Sequence, residues 1–412
     1  MKLLLFLRVF FALLVALPIH AGTTIPWNVV DLKQPPAVSP PPVEVTTPEG
    51  IRALCFEGPP YHGKPTRVFA FYGAPQGADS KHKVPAVVLV HGAGGTAFLD
   101  WVRLWNSRGY AAIAFDNEGN LPIGHRDSWQ RNPQGGPQRT DIAGLDQPVA
   151  DQWMYHAVAD TILAHSLIRA FPEVDSERIG ITGISWGAVV MANAVSLDDR
   201  FQFAAAVYGC GYLSEDFDDG SRFIGSKQSW EDVGPRVTAW GELWDPARFL
   251  PQAKLPVLWI GGLKDFAFTP RSRQLSYRAA SGPHTLSLRS EMIHGHGGPG
   301  ESPQEILVFA NSIVKGELPL ATVTPTRSNG SIAWVDFESK SPIRKAALIF
   351  TRDTGRWQER RWETQPAEMT GHHVSAQIPP DAGTYFFNLT DDSGLVVSSE
   401  HENSPATSKV PP

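Results

Sequence analysis

Cysteine is nearly absent from this chain, with only Cys55 and Cys210 among 412 residues. Two thiols cannot build a disulfide framework, which excludes the small loop-rich folds that depend on one. They either pair with each other or stay apart. Cys210 follows an expected strand, where a buried free thiol fits best. Strong charge is lacking too. A formal net charge of −6 gives no footing for a nucleic-acid partner. Long hydrophobic runs are also missing: Leu3 to Leu17 is too short, and too interrupted by Arg8, for a comfortable membrane span. With Lys2 and Arg8 as basic residues and Ile19-His20-Ala21 ending on a small one, Met1 to Ala21 reads as a signal peptide. Export to the periplasm or exterior is expected, with no stable membrane insertion after cleavage. No cysteine closely follows the apolar stretch, which argues against a bacterial lipid anchor. Tryptophan is plentiful instead, at thirteen residues. Cores absorb most such residues, though exposed tryptophan also serves sugar-binding surfaces.

The length suggests two domains, or one large domain with an appendage. Residues 22–50 include the proline-rich Gln34 to Pro48 and read as an extended linker. From Ile51 to about Leu320, short apolar β-branched runs alternate with helical stretches. The expected strands are Arg67 to Gly73, Pro85 to Val90, Tyr110 to Phe115, Arg178 to Thr182, Ala204 to Tyr208, Pro256 to Ile260 and Thr285 to Arg289. Expected helices are Trp101 to Arg108, Asp151 to Phe171, Ala188 to Val195, Gln274 to Ala279 and Pro303 to Val314. This alternation predicts an α/β fold with a mostly parallel sheet covered on both faces. Asp116 to Gln147 is a long polar loop, placed to wall a crevice. Leu213 to Leu250, with Trp230, Trp240 and Trp244, reads as an insertion over the site, either a packed set of helices or a substrate platform. Beyond Leu320 the period changes. Ser331 to Phe337, Ala346 to Thr351, Arg356 to Trp362, His373 to Ile378 and Gly383 to Asp391 alternate as strands, predicting a small β-sandwich over 322–402. Residues 403–412, polar and proline-containing, read as a disordered tail.

The chemistry centres on G-I-S-W-G, Gly183 to Gly187, between an expected strand and an expected helix. A strand that becomes a helix within so few residues needs a sharp corner, and the corner pushes Ser185 out above the sheet. The helix N-terminus supplies N–H groups and partial positive charge beside it. H-G-A-G-G, His91 to Gly95, follows another central strand and exposes further N–H donors. Asp265 lies beyond the end of Pro256 to Ile260. The segment M-I-H-G-H-G-G-P-G places His294 and His296 after the last strand.

The order is thus oxyanion turn, serine, carboxylate, histidine, and Ser…Asp…His is the order used by the α/β-hydrolase fold. A serine hydroxyl becomes nucleophilic when an imidazole takes its proton, and a carboxylate fixes that imidazole. The catalytic candidates are Ser185, Asp265 and either His294 or His296. His294 is favoured because it falls at the usual loop distance after a strand ending near Arg289, while the G-H-G setting of His296 suits a catalytic loop equally. The oxyanion donors fall to Trp186 and to Ala93, with Gly92 beside it. Asp245, with no strand leading into it, is the poorer acid. His156 and His165, on the helix from Asp151, read as packing or surface residues. An H-x-H pair can bind metal, but cysteine and carboxylate companions at ligand spacing are missing, so neither metal nor organic cofactor is expected.

These segments carry a family resemblance. V-V-L-V-H-G-A-G-G (Val87 to Gly95), R-I-G-I-T-G-I-S-W-G (Arg178 to Gly187), Y-G-C-G (Tyr208 to Gly211), the Asp265 loop and M-I-H-G-H-G resemble α/β-hydrolases of a broad group. That group holds acetyl xylan esterases, dienelactone hydrolases and the hydrolase domains of prolyl oligopeptidases. The resemblance spans roughly Ile51 to Leu320 and implies Ser–Asp–His catalysis. It leaves substrate open, since many chemistries share the fold. An exported esterase acting on a small-molecule or polysaccharide ester is the expected function. A peptidase of the oligopeptidase type fits less well, because the roughly thirty residues before Ile51 cannot hold a propeller. The remaining alternative is an inert carbohydrate- or cell-surface-binding protein.

Overall fold

The computed structural model describes residues 25–126, 128–215 and 230–404. The expected signal peptide, part of the Trp-rich insertion and nearly all of the polar tail lie outside the described residues. The central sheet contains β1 (Ile51–Tyr61), β2 (Lys64–Gly73), β3 (Val84–Val90), β4 (Ala111–Phe115), β5 (Val174–Ile184), β6 (Ala204–Val207), β7 (Val257–Gly262) and β8 (His284–Arg289). Their spatial order is β1-β2-β4-β3-β5-β6-β7-β8. β1 and β2 are antiparallel to their neighbours, and the run from β4 to β8 is parallel. β3 and β4 are wholly apolar where the sheet is covered, and Ala86 to Val90 and Ala111 to Phe115 are all buried.

The longer helices among the described residues are α1 (Leu99–Ser107), α2 (Trp153–Arg169), α3 (Trp186–Leu197), α4 (Trp230–Trp244), α5 (Pro270–Ala279) and α6 (Gln304–Val314). From β3 the chain crosses one way to β4 through α1, then back past β3 to β5 through α2. Right-handed crossovers in opposite directions set α1 and α2 on opposite faces of the sheet. α3 packs with α2. The turn between α1 and β4 is tied to the last turn of α6, by Tyr110 Oη donating to Asn311 Oδ1 at 2.7 Å and Lys315 Nζ donating to the Arg108 carbonyl at 3.1 Å. α3 is built mostly of apolar residues, many of them small, and is buried from Trp186 to Ser196, as a helix covered on every side must be. The reversal of direction beside β3 opens a crevice above the carboxyl ends of the strands.

The proline-rich stretch is extended but does not hang free as a linker. Val38–Ser39 pairs antiparallel with β1, Val43 and Val45 pack on the core, and Trp27 is buried with its Nε1 donating 2.8 Å to the Tyr155 carbonyl. Apolar residues among the prolines give the segment something to bury. Cys55 and Cys210 are both buried and form no disulfide with each other, and burial pushes the Cys55 thiol up to about 11.

The C-terminal part contains β9 (Ile332–Glu338), β10 (Ile343–Thr351), β11 (Glu363–Pro366), β12 (Glu368–Thr370), β13 (His373–Gln377), β14 (Thr384–Asp391) and β15 (Val396–Ser398). It forms two antiparallel layers. One is built on β9, β13 and β12. The other runs β15-β14-β10-β11 and continues the central sheet, because β15 pairs with β8 at Ser398 and Leu286. Ser398 Oγ also accepts the Leu288 N–H at 2.8 Å, and Asn388 Nδ2 donates 3.0 Å to the Leu288 carbonyl. The expected strand Arg356 to Trp362 is absent. Trp357–Glu359 is a 3-10 turn, with Trp357 stacked 6.2 Å from Trp362. Asp353 accepts the Arg361 N–H at 2.8 Å and closes the segment into a loop. The tryptophans pack on each other there, so alternation along a strand was the wrong reading of them.

Candidate active site

Every candidate site residue stands just beyond the carboxyl end of a parallel strand: His91 to Gly95 after β3, Ser185 after β5, Asp265 after β7, and His294 and His296 after β8. Ser185 has φ 59° and ψ −123°, a conformation that costs a non-glycine residue of order 1–3 kcal/mol and persists only when its surroundings impose it. The surroundings are tight. A Cβ on Gly187 would sit 2.0 Å from the Val90 carbonyl oxygen, so α3 starts directly against the end of β3. The Ser185 N–H is held by the Val207 carbonyl at 2.9 Å. Trp186, the first residue of α3, has its ring fixed edge-on between Trp153 at 5.4 Å and Trp240 at 5.8 Å. Trp240 and Trp244 are both about 1% exposed, which makes them core residues and removes them from any substrate platform.

The two histidines of H-x-H have different partners. His294 Nδ1 lies 2.8 Å from Asp265 Oδ2, and its ring stacks on Tyr208 at 4.4 Å. Asp265 is buried, which works to raise its carboxyl. The His294 hydrogen bond and charge, the Arg273 cation and the Ala267 N–H outweigh burial and hold it below the usual carboxylate range. Asp265 Oδ1 also accepts the N–H groups of Ala267 and Phe268, at 2.8 and 2.9 Å. His296 Nδ1 lies 2.8 Å from Glu301 Oε1, and its Nε2 accepts the Gly92 N–H at 3.0 Å. Both nitrogens of His296 are therefore engaged. Among the described residues neither ring is hydrogen-bonded to the Ser185 hydroxyl, a looseness common before substrate enters.

The turn after β3 is tied down group by group. The Gly92 carbonyl accepts from His91 Nδ1 at 2.8 Å and from the Gly95 N–H at 3.1 Å. The Gly94 N–H goes to Glu118 Oε1 at 3.0 Å. Of the N–H groups of Gly92, Ala93 and Gly94, that of Ala93 has no protein acceptor among the described residues. Gly92 was an expected oxyanion donor beside Ala93, but its N–H is already taken by His296. His91 is buried and stays neutral, pushed down to about 3 by burial, with the nearby His296 adding to the effect against the Gly92 hydrogen bond.

The long loop from Asp116 reaches this turn. Trp129 Nε1 donates 2.9 Å to the Gly94 carbonyl, and Arg139 lies 5.4 Å over the Trp186 ring. Asp245 is excluded as the acid, because its carboxylate caps the N–H groups of Tyr212, Leu213 and Ala247 at 2.8 Å each. His156 and His165 are buried away from the site, the latter 2.8 Å from Asp198. No group of three metal-ligating side chains occurs among the described residues.

Two participants escaped the sequence reading. Glu301 lies five residues past His296, and the glycine-rich spacing there hides which carboxylate turns back. Arg273 sits on a polar helix where an arginine looks solvent-facing, yet it is 1% exposed and is one of the cations acting on Asp265.

Comparison with known proteins bears on the fold that carries these residues. Residues 51–233 match the acetyl xylan esterase (AXE1) family. No curated protein sequence matches the chain. The acetyl xylan esterase from Paenibacillus sp. R4 superposes with a TM-score of 0.56 at 20% identity, covering 69% of this chain and 92% of that one. Acetyl xylan esterase 1 from Thermoanaerobacterium sp. JW/SL YS485 gives 0.52 at 16% identity, covering 70% and 95%. At these identities the likeness is one of fold. The sheet order and these matches together place the chain in the α/β-hydrolase superfamily, with residues 51–233 similar to the acetyl xylan esterases.

Proposed function

We propose that the protein is an exported serine hydrolase of carboxylic esters, acting on acetyl or related acyl esters of carbohydrate. Ser185 Oγ attacks the ester carbonyl carbon while His294 Nε2 takes its proton. Asp265, bonded to Nδ1, holds the ring in the tautomer that leaves Nε2 as acceptor and steadies the imidazolium. The oxyanion of the tetrahedral intermediate accepts from the N–H groups of Ala93 and Trp186, one such donor being worth about 2.7–4 kcal/mol. His294 returns the proton to the departing alcohol, leaving an acyl-Ser185. Water, deprotonated by the same imidazole, then adds to that carbonyl and releases the acid and the free serine.

The observation carrying this reading is the division of labour in H-x-H. His294 has its Nδ1 on a buried carboxylate at 2.8 Å, whereas His296 has both nitrogens committed. That is why the general base is assigned to His294. Acetyl esters are favoured by the family match over residues 51–233, and export by the basic and apolar N-terminal segment. The test is labelling of the mature protein with a fluorophosphonate, mapping of the adduct by mass spectrometry, and hydrolysis of aryl acetates and acetylated xylan. An adduct on Ser185, with hydrolysis lost in Ser185→Ala, is expected. A folded protein that neither labels nor hydrolyses any of these esters refutes the reading.

A further inference from the structure

We infer that His296 and Glu301 form a second dyad that moves no proton and instead locks the oxyanion turn, which makes both of them positioning residues for the Ala93 N–H. This rests on the esterase reading above.

Glu301 is 8% exposed and accepts the backbone N–H groups of Gly297 and Gly298 at 3.1 and 2.8 Å in addition to the imidazole. Burial works to raise its carboxyl, but the hydrogen bond and charge of His296, with those two N–H groups, hold it below the usual range. A fixed carboxylate on Nδ1 makes that nitrogen the donor. Nε2 is then left with a lone pair, and the atom facing it, at 3.0 Å, is the Gly92 N–H. The ring is boxed by Phe98 at 4.8 Å and Trp101 at 5.8 Å, so it cannot swing away cheaply.

Gly92 is where such a bond has most effect. A Cβ built there would meet the Ile184 carbonyl oxygen at 2.8 Å and Ser185 Cβ at 3.0 Å, so its backbone lies directly on the nucleophile. Its carbonyl belongs to the same peptide unit as the Ala93 N–H, and a planar trans peptide points the two in opposite directions. That carbonyl is held by His91, whose Nε2 accepts the Asn117 N–H at 3.0 Å, which leaves Nδ1 as its donor. The preceding peptide unit is held by His296. Two histidines therefore fix two successive peptide units, and the direction of the Ala93 N–H follows. This dyad is separate from the pair that Asp265 makes with His294, 29 positions away: Glu301, His296 and Gly92 tie the loop after β8 to the turn after β3 without touching Asp265.

The test compares His296→Gln, whose Oε1 can still accept the Gly92 N–H, with His296→Leu, which cannot, and with His294→Gln. Each is measured for kcat and KM on an aryl acetate and for affinity toward an aryl trifluoromethyl ketone, which forms a tetrahedral oxyanion on serine. Loss of the clamp in His296→Leu is expected to cut kcat about 10- to 100-fold with little change in KM, and to weaken the ketone in parallel. His296→Gln is expected to recover most of that loss, and Glu301→Gln to fall between the two. His294→Gln should lose roughly 1,000-fold or more, as a missing proton carrier does. The inference is overturned if His296→Gln is as inactive as His294→Gln, or if His296→Leu matches the parent. Should His296→Leu not fold, the Gln variants of His296 and Glu301 decide alone. Full activity in His294→Gln or Ser185→Ala would instead remove the assignment of Ser185 and His294 as nucleophile and base beneath it.

Discussion

His294 Nδ1 and Asp265 Oδ2 are held 2.8 Å apart by loops that leave two adjacent parallel strands, β8 and β7. Neighbouring strands are about 4.8 Å apart, so the sheet itself brings the two loops within reach. Asp265→Asn keeps the shape of the acid but no longer selects the right tautomer of His294. A drop in kcat of roughly 10³- to 10⁴-fold is expected, with far-ultraviolet circular dichroism unchanged. Steady-state kinetics on an aryl acetate checks this, and a loss under tenfold would move the acid elsewhere.

Ser185→Ala removes the nucleophile without touching the packing of the corner. Hydrolysis should fall by roughly 10⁴-fold or more and fluorophosphonate labelling should vanish. The melting temperature should hold or rise, since alanine is no more strained there than serine. Differential scanning calorimetry beside the activity assay separates these outcomes.

Gly92→Ala places a methyl group against the Ile184 carbonyl oxygen at 2.8 Å and Ser185 Cβ at 3.0 Å. Either the turn or the nucleophile must move. Stability should fall by about 1–3 kcal/mol and kcat by about 100-fold, because a displacement near 1 Å is costly at a reacting centre. Urea unfolding measures the first and kinetics the second. A variant with parental kcat would show that the turn tolerates movement.

His401 is buried beside α5 and is pushed down to about 3, by burial first and then by the Arg278 cation. Its folded pKa lies below the ordinary 6.5, so between those values the unfolded chain binds a proton that the folded protein refuses. Stability must therefore rise with pH across that window and fall on acidification, at up to about 1.4 kcal/mol per pH unit for one such group. Asp116, raised by burial to about 7, works in the opposite sense, because the folded form keeps a proton there. The decisive measurement is differential. The stability of His401→Gln, followed by urea unfolding from pH 4 to 6, should vary less steeply with pH than that of the parent. Parallel slopes would show that His401 titrates normally.

Truncation after Leu320 should do more than delete an appendage. It strips β15 from the edge of β8 and removes Glu400, whose Oε2 lies 2.7 Å from Arg278 Nε, and the His401 carbonyl, which accepts Gln274 Nε2 at 2.7 Å. The shortened chain should aggregate or melt well below the parent, since an open strand edge invites pairing with other chains. The full chain should unfold in one calorimetric transition. Two separate transitions would contradict the shared sheet.

The strands and helices of the hydrolase part were legible because they are buried on defined faces and the alternation of period is strong there. Gly183 to Gly187 was legible because a sharp strand-to-helix corner demands those glycines. The sequence could not assign partners within H-x-H. His294 and His296 are two residues apart with similar neighbours, and what distinguishes them is which carboxylate folds back, Asp265 from another strand or Glu301 from a glycine-rich loop. Positive φ at Gly297 and Gly298, 85° and 136°, shapes that return, and local periodicity does not register it. Arg356 to Trp362 misled for a related reason, since aromatic residues that stack on one another look like those alternating along a strand. The junction of β8 with β15 depends on pairing between residues 112 positions apart, Leu286 and Ser398, and leaves no local trace.

That junction also bears on how such a chain can be inherited. A gene segment encoding only residues 51–320 would carry away a sheet with one flank bare, and a segment encoding only the C-terminal strands would carry away a flank with nothing to cover. Recombination at the boundary between them delivers two liabilities. The two parts are therefore expected to travel through evolution as one piece, and any exchange that separates them must supply a new strand for β8 in the same step.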